Sequence, residues 1–387
     1  MSTILNNYEA ILYNKRNMDE LDWSFYENGA FLKEYFADFI LDTTSYMKNV
    51  ETEVFFVALG RKLLPCTVND DTYNNSYVCS PYTHYITYAK EELRFVSPKP
   101  LRFLLEAIIN SFGSFAKLVE INKIVYINNY CLSTNLISPL SNEEVHALKE
   151  LLIERFPKYQ LGFRSINEIC HKDMMKSFET EGYNLLPSRY IYISTNKRLN
   201  TPTKGERKKR RQDEKCITKD MRIVTNKEIL PEDIERIVEL YNQLYIEKYS
   251  DLNPQFTYKF IEKLLDQDLF IFQGVKINGK LEAISGTFVV NNMMTNPIYG
   301  YNLSLFPQFQ LYRILRHLNT KLALDNNCLY HQSAGAGHFK KARSGEGTPE
   351  YTALYVNHLP FSKKSFWKLL SFLLKKIGIP LVEKLEL

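Results

Sequence analysis

The pair Asn278-Gly279 stands between two runs rich in β-branched and aromatic residues, 269–276 and 281–290. Both residues of such a pair accept the positive φ angles of a two-residue hairpin turn, whose twist matches that of its strands. A third run of the same kind, 294–302, follows directly. Three strand-like runs in succession predict an antiparallel sheet, which needs a second layer to bury its apolar face. The candidates lie on either side. A helix over 231–247 opens with Pro231, whose missing N–H has no intrahelical partner to lose, and turns Ile234, Ile237, Val238, Tyr241 and Tyr245 to one face. Further helices are expected at 257–265 and 308–325. With short strands at 221–224, 329–332 and 351–358, the order reads βααβββαβ, an irregular stretch, then β.

The first half alternates in the same way. Strands are expected at 53–59, 122–131 and 190–194, and helices at 29–48, 99–117, 142–155 and 171–181. Ser141 followed three residues later by Glu144 is a capping box at the third helix. The cluster Asn200, Thr201, Pro202, Thr203, Lys204, Gly205 breaks the pattern. At about 150 residues per domain, 387 residues divide into two units, three at most. The expected division is a first α/β (α+β) domain at 1–195, a basic connecting segment at 196–221, a second domain at 222–360 and a basic amphipathic helix at 361–387.

Charge is concentrated in the connector. Between Asn196 and Arg222 stand eleven Lys or Arg against four acids, whereas the whole chain carries only +5 and is slightly acidic elsewhere. This argues against general nucleic-acid coating and leaves two readings of the segment: a solvated linker helix, or a grip on phosphates or carboxylates. On a helix, Arg207 and Arg211 fall one turn apart on one face. With 45% hydrophobic and 24% charged residues the chain is globular, which excludes a disordered or fibrous protein. Six scattered cysteines without a CxxC pair are expected as reduced thiols of the cytosol. The first residues, Met1 to Asn7, lack a basic stretch followed by an apolar region, and no eighteen apolar residues run together, so neither secretion nor a membrane span is expected.

The seven histidines show no HxH or HExxH spacing and no cysteine partners, so no metal site is expected, and no phosphate-binding glycine loop occurs in a strand-turn-helix setting. What chemistry there is gathers late in the chain. Ser333, Ala334, Gly335, Ala336 and Gly337 are small enough to form either a nest of backbone N–H groups or a plain turn. Lys340, Lys341 and Arg343 follow, His331 and His338 flank the turn, and Glu350 lies beside Tyr351. His331 or Glu350 is a candidate proton acceptor, and Tyr301 ends the third strand of the meander. In the first half Tyr82, His84, Ile86 and Tyr88 alternate as one face of a strand, either clasping an elongated ligand or packing in the core. Between 363 and 377, apolar residues at 366, 369, 370, 373, 374 and 377 trace one helical face with lysines off it. Such a helix packs on its own domain or lies on an anionic membrane or carrier protein.

Residues 331–351, reading HQSAGAGHFKKARSGEGTPEY, resemble the strand-loop-FK(K/R)xxG segment of Fem-like and related tandem GNAT proteins. The element order of the second half, the basic helix with Arg207, Lys208, Arg210 and Arg211, and the Tyr312-Arg313 pair resemble the same superfamily. The likeness covers 196–360; the first half is similar only as a divergent module ending in Gly182, Tyr183 and Ser188-Arg189-Tyr190. The resemblance implies two tandem GNAT-like domains, each a mixed, mainly antiparallel sheet flanked by helices. It further implies a cytoplasmic bacterial N-acyltransferase, moving an acyl group from acyl-CoA or acyl carrier protein to an amine on a small molecule or peptide. A Fem-type enzyme using aminoacyl-tRNA, or a GNAT-fold binding module without catalysis, are the alternatives. No bound cofactor is implied. Lys340 comes first among the catalytic candidates, then His331, Tyr301 and Glu350. Ser333, Gly335, Gly337, Arg343, Tyr312 and Arg313 are candidates for substrate or donor binding, joined on residue chemistry by Arg207, Arg211, Tyr82 and His84. Two departures stand out: 308–313 lacks the glycines of the (Q/R)xxGx(G/A) pattern that approach the pyrophosphate of CoA, and Ser344 stands where a glycine is usual.

Overall fold

The computed structural model describes residues 3–5 and 8–378 and arranges them around one sheet of thirteen strands. The strands of the first half are β1 Thr3–Leu5, β2 Tyr8–Tyr13, β3 Glu53–Leu59, β4 Lys62–Asn69, β5 Ile124–Ile127, β6 Gln160–Asn167 and β7 Asn184–Ser194. The second half supplies β8 Met221–Thr225, β9 Ile271–Ile277, β10 Lys280–Val290, β11 Met293–Tyr301, β12 Leu329–Ala334 and β13 Glu346–Tyr355. Across the sheet the order is β1-β2-β3-β4-β5-β6-β13-β7-β12-β11-β10-β9-β8.

That order is nearly a palindrome. Outward from the central pair β13 and β7, each side has a parallel neighbour pair, β5 with β6 and β11 with β12, and then only antiparallel pairs. Each parallel pair is joined by a helix, α4 (Asn142–Arg155) in the first half and α10 (Leu311–Asp325) in the second. The chain is thus a repeat of one mixed α/β unit, and the two units exchange their last strands. β13 pairs with β6 and β7 of the first half, and β7 pairs with β12 of the second.

The remaining helices are α1 Gly29–Phe36, α2 Tyr88–Glu92, α3 Lys99–Leu118, α5 Glu168–Thr180, α6 Asn196–Asn200, α7 Lys204–Glu214, α8 Pro231–Tyr241, α9 Tyr258–Asp266, α11 Gly337–Lys341 and α12 Phe361–Leu373. Alternation along β3 sends Val54, Phe56 and Ala58 into one apolar cluster and Phe55, Val57 and Leu59 into another. The second cluster is covered by α4 and α5. The first also contains Phe260, Phe272 and Phe288 of the second half, with the Phe31 and Phe288 rings 5.6 Å apart. Strands from opposite ends of the sheet therefore share one core, as a twisted sheet of this size allows only when it curls.

Local chemistry explains where elements agree with their expected spans and where they move. Asn278 and Gly279 take φ of 50° and 81° in the β9–β10 turn. Ser141 Oγ accepts the Glu144 N–H, and Glu144 accepts the Ser141 N–H. The helix expected over 29–48 stops at Phe36, and the Asp42 carboxylate takes the N–H groups of Thr44 and Ser45 into a turn. The helix from Pro231 becomes a π-helical turn at Asn242–Glu247. Strands β7 and β13 begin earlier than expected, and β4 and β6 come in addition.

The strand expected around Tyr82 to Tyr88 is a correction. Thr83–Thr87 is a π-helical turn leading into α2, with Ser80 Oγ accepting the Thr83 N–H at its start. An alternation of aromatic and polar residues over so short a stretch also fits a helix. At the other end, α12 packs through Phe366, Trp367 and Leu370. Residues 379–387 of the expected C-terminal helix, and the side chain of Ile377, lie outside the described residues. Among the described residues, no helix is long and apolar enough to cross a membrane, and no three His, Cys, Asp or Glu group as metal ligands.

Candidate active site

Three strands meet at the seam between the units, and each brings a charged or titratable side chain. Glu350 on β13 lies in register with Arg189 on β7, and both point to one face. Arg189 Nε donates to Glu350 Oε1 at 2.8 Å and Nη2 to Oε2 at 3.0 Å, a two-point grip that orients the carboxylate. Arg189 Nη2 also donates to Thr134 Oγ1 at 3.1 Å, and Ser188 Oγ donates to the Glu350 carbonyl. Burial alone would raise the Glu350 pKa; the Arg189 guanidinium outweighs it and holds the carboxyl down at about 2.

His331 on β12 is buried, with Nε2 3.4 Å from Glu350 Oε2, too poorly aligned for a hydrogen bond. Its Nδ1 accepts the Ser333 N–H at 3.2 Å, which assigns the ring proton of the neutral form to Nε2, facing the carboxylate. Burial pulls its pKa down, so the ring is neutral at physiological pH. Close by, Asn167 Nδ2, His171 Nε2 and Gln332 Oε1 are also buried without a hydrogen-bond partner.

Beyond His331 the chain leaves β12 through a turn with positive φ at Ser333 (59°), Gly335 (77°) and Ala336 (52°) before α11 begins. Lys340 holds this turn from beneath. Its Nζ donates to the carbonyls of Gln332 at 2.7 Å, Ser333 at 3.2 Å and Ala334 at 2.7 Å. Burial, then Arg316 and Arg189, pull the Lys340 pKa well down, while the three acceptors oppose that pull because only the ammonium form can serve all three. With these carbonyls turned inward, the N–H groups of Gly335, Ala336 and Gly337 take no partner among the described hydrogen bonds. Ser333, Gly335, Gly337 and Lys340 thus belong to one small device, with His331 and Glu350 behind it.

The other expected site residues separate into groups. Arg343 grips Asp213 of α7 with two bonds, its Nη2 donating to Oδ1 at 2.9 Å, and Arg313 Nε donates to the same oxygen at 2.7 Å. Both arginines therefore dock α7 onto the second unit. Arg207 and Arg211 are exposed on that helix. Tyr312 lies 4.7 Å from the Phe339 ring and 5.9 Å from that of Tyr301, which carries the aromatic lining to the end of β11. Tyr82 and His84 part company on their helical turn. Tyr82 packs on Tyr73 and under Lys117, whereas His84 meets Tyr77 and Tyr85.

Tyrosine rings pair near His84 and again in the second unit, and nothing in the sequence singled these pairs out among 26 tyrosines. Tyr77 and Tyr88 lie 5.7 Å apart, and Tyr241 stacks on Tyr245 at 5.0 Å. Two π-helical turns, one from each unit, carry His84 and Tyr245; such widened turns recur at functional sites. Arg164 adds an unbalanced charge. It is buried, its Nη1 donates only to Val78 O, Asn129 Oδ1 and Leu132 O, and no carboxylate lies within ion-pair distance among the described residues. Two arginines thus face one glutamate, and burial together with Arg164 and Arg189 drives the His84 pKa down to about 3.

The parallel pairs differ in what fills the space where they part. β11 and β12 pair over only three positions, Met293 to Thr295 with Leu329 to His331, before β11 runs on alone to Tyr301. The segment 302–310 that follows stays near the surface. In the first unit the equivalent segment, 128–137, is almost wholly buried and occupies its own gap. The turn at 333–337 and the aromatic residues Tyr301 and Tyr312 therefore stand where β11 and β12 part in the second unit.

No family model and no curated protein matches the sequence. Among solved structures, FemX is 11% identical over 64% of this chain and 83% of its own, with a TM-score of 0.45. The structure titled L-PGS from Bacillus licheniformis is 10% identical over 59% of this chain and 76% of its own, with a TM-score of 0.41. A conserved protein of Enterococcus faecalis V583, titled a probable N-acyltransferase, is 9% identical over 93% of this chain and 74% of its own, with a TM-score of 0.35. At this distance none of them assigns a function.

Proposed function

We propose that the chain is a GNAT-like N-acyltransferase whose reaction takes place in the gap between β11 and β12 of the second unit. The observation that carries this reading is the turn at 333–337, whose carbonyls are drawn onto Lys340 and whose N–H groups at Gly335, Ala336 and Gly337 take no partner among the described hydrogen bonds. When an amine attacks an acyl carbonyl, negative charge develops on the oxygen, and preorganised N–H donors at that point lower the barrier. Lys340 acts here by positioning, since all its protons are engaged with the backbone. The attacking amine is neutral; as the amide bond forms the carrier leaves with its bonding electrons and the amine sheds its proton to solvent, because Glu350, gripped by Arg189 and with a pKa of about 2, is too weak a base to take it. The rest of the acceleration comes from holding amine and acyl group together in the tyrosine-lined space.

The donor is an acyl or aminoacyl group on a polyanionic carrier. Helix α10 begins without glycine, and Gln310 Nε2 is bound to the Pro307 carbonyl, so a pyrophosphate finds no ordinary cradle there. The exposed cations Arg207, Lys208, Lys209 and Arg211 on α7 supply an alternative phosphate contact, which also favours the second reading, a charged-tRNA donor. The test is to present acyl-CoAs, acyl carrier protein and aminoacyl-tRNA, each with a panel of primary amines, and to detect the amide by mass spectrometry. Amide formation from one donor class supports the proposal and names the donor; folded protein that neither binds nor consumes any of them overturns it.

A further inference from the structure

Among the described residues large apolar side chains are exposed at fifteen positions, and seven of these fall on two helices, α3 and α12. They are Leu101, Phe103, Leu104 and Leu118 on α3, and Phe361, Leu369 and Phe372 on α12. The helices lie side by side. Phe366 of α12 stands 5.9 Å from Phe112 and 5.3 Å from Phe115 of α3, and Lys363 Nζ reaches Glu120, just past the end of α3, at 2.8 Å. With Phe366, Trp367 and Leu370 buried, helical spacing turns Phe361, Leu369 and Phe372 outward. Phe103 is 70% exposed and Phe361 81%, far more than packing on the chain itself would leave.

The same two helices are cationic. Lys99 and Arg102 on α3 and Lys368, Lys375 and Lys376 on or just after α12 are exposed. Glu106 is the one acid of α3, and 361–378 holds none. We infer that α3 and α12 together form a docking surface for an anionic lipid bilayer. Bulky apolar groups interleaved with lysines and arginines suit the boundary between headgroups and acyl chains, where the former are buried and the latter meet lipid phosphates. The chief competitor, a second copy of the chain, is disfavoured by the same charges. A two-fold interface sets one patch against itself, and here that opposes cation to cation with almost no acid between them. The inference does not depend on the proposed reaction, because none of these residues belongs to the candidate active site.

The test is cosedimentation of the full chain with vesicles of phosphatidylglycerol and phosphatidylcholine in about a 1:2 ratio, against phosphatidylcholine alone. The expected result is binding to the anionic vesicles only, declining as salt is raised. Lys375→Gln with Lys376→Gln should weaken it roughly thirtyfold, since each cation near the surface contributes about 1 kcal/mol. Leu104→Ser with Phe372→Ser should abolish it while leaving circular dichroism and melting temperature unchanged, because both side chains are already in solvent. Binding that ignores lipid charge, or survives both pairs of substitutions, overturns the inference. So does a dimer in analytical ultracentrifugation that the serine variant dissolves, or binding to acyl carrier protein with the same sensitivity, either of which would assign the surface to protein.

Discussion

Lys340 offers three protons, and three carbonyls of one turn take them. Replacing it by Met keeps the stem and removes the donors, leaving those carbonyls without their partner. The expected loss is about 3 kcal/mol in urea denaturation, and amide formation should fall at least about tenfold as the turn relaxes. A variant with unchanged stability would show that the turn holds its shape without the lysine. The buried histidines set an acid limit on the whole fold. His84 and His171 have pKa values near 3 and 4, against about 6.5 when unfolded, with burial the main cause. Between pH 6.5 and about 4 the unfolded chain therefore binds protons that the native chain refuses, so stability falls as pH falls. Each of the two steepens that decline by about 1.4 kcal/mol per pH unit below pH 6. Glu350 adds a second loss between about pH 4.5 and 2, where only the unfolded carboxyl takes up a proton. A pH series of thermal melts checks the first window, and His84→Phe should flatten it. Lys340, His331 and Glu350 were visible as candidates because they sit near one another in sequence around a small-residue turn. Arg189 and Arg164 were not, since their importance comes from partners far away along the chain.

Helix α7 looks in the sequence like a run of cations, yet Asp213 decides where it sits. That carboxylate is buried between Arg343 and Arg313, and losing it strands two guanidinium groups in a site with little water. Asp213→Ala should cost about 3–5 kcal/mol. Arg207→Gln with Arg211→Gln, on the exposed side, should change stability by less than about 0.5 kcal/mol while weakening donor binding at low salt. Equal donor binding by this variant and the parent chain would return the exposed side to a solvated role. Elements bounded by short-range chemistry were legible: the Asn278-Gly279 turn and the Ser141-Glu144 cap work within a few residues. β4 was hidden by Pro65, an unusual residue for a strand with neighbours on both sides. The π-helical turn at Thr83–Thr87 was read as a strand because Tyr82, His84, Ile86 and Tyr88 alternate with other residues over too short a stretch for periodicity to tell helix from strand.

At the scale of the molecule, the sheet passes without a break through the loop after β7 where the first unit was expected to end. Mixed α/β layering was readable from element order, and the mainly antiparallel sheet was what the resemblance at 331–351 implied. The exchange of β7 and β13 was not, because nothing local in sequence records that Glu350 will lie opposite Arg189. Each unit borrows a strand from the other, so residues 1–195 and 196–387 expressed separately should each lack cooperative unfolding, and mixing them should restore it. Independent, cooperative melting of either piece would refute this. The exchange also imposes an order in time. β13 follows every other described strand, so during synthesis the flank of β6 waits open until residues 346–355 have left the ribosome. An unpaired strand edge invites the wrong neighbour, including its counterpart on another nascent chain. Rapid production without chaperones should therefore favour intertwined dimers, in which one chain lends β13 to the next.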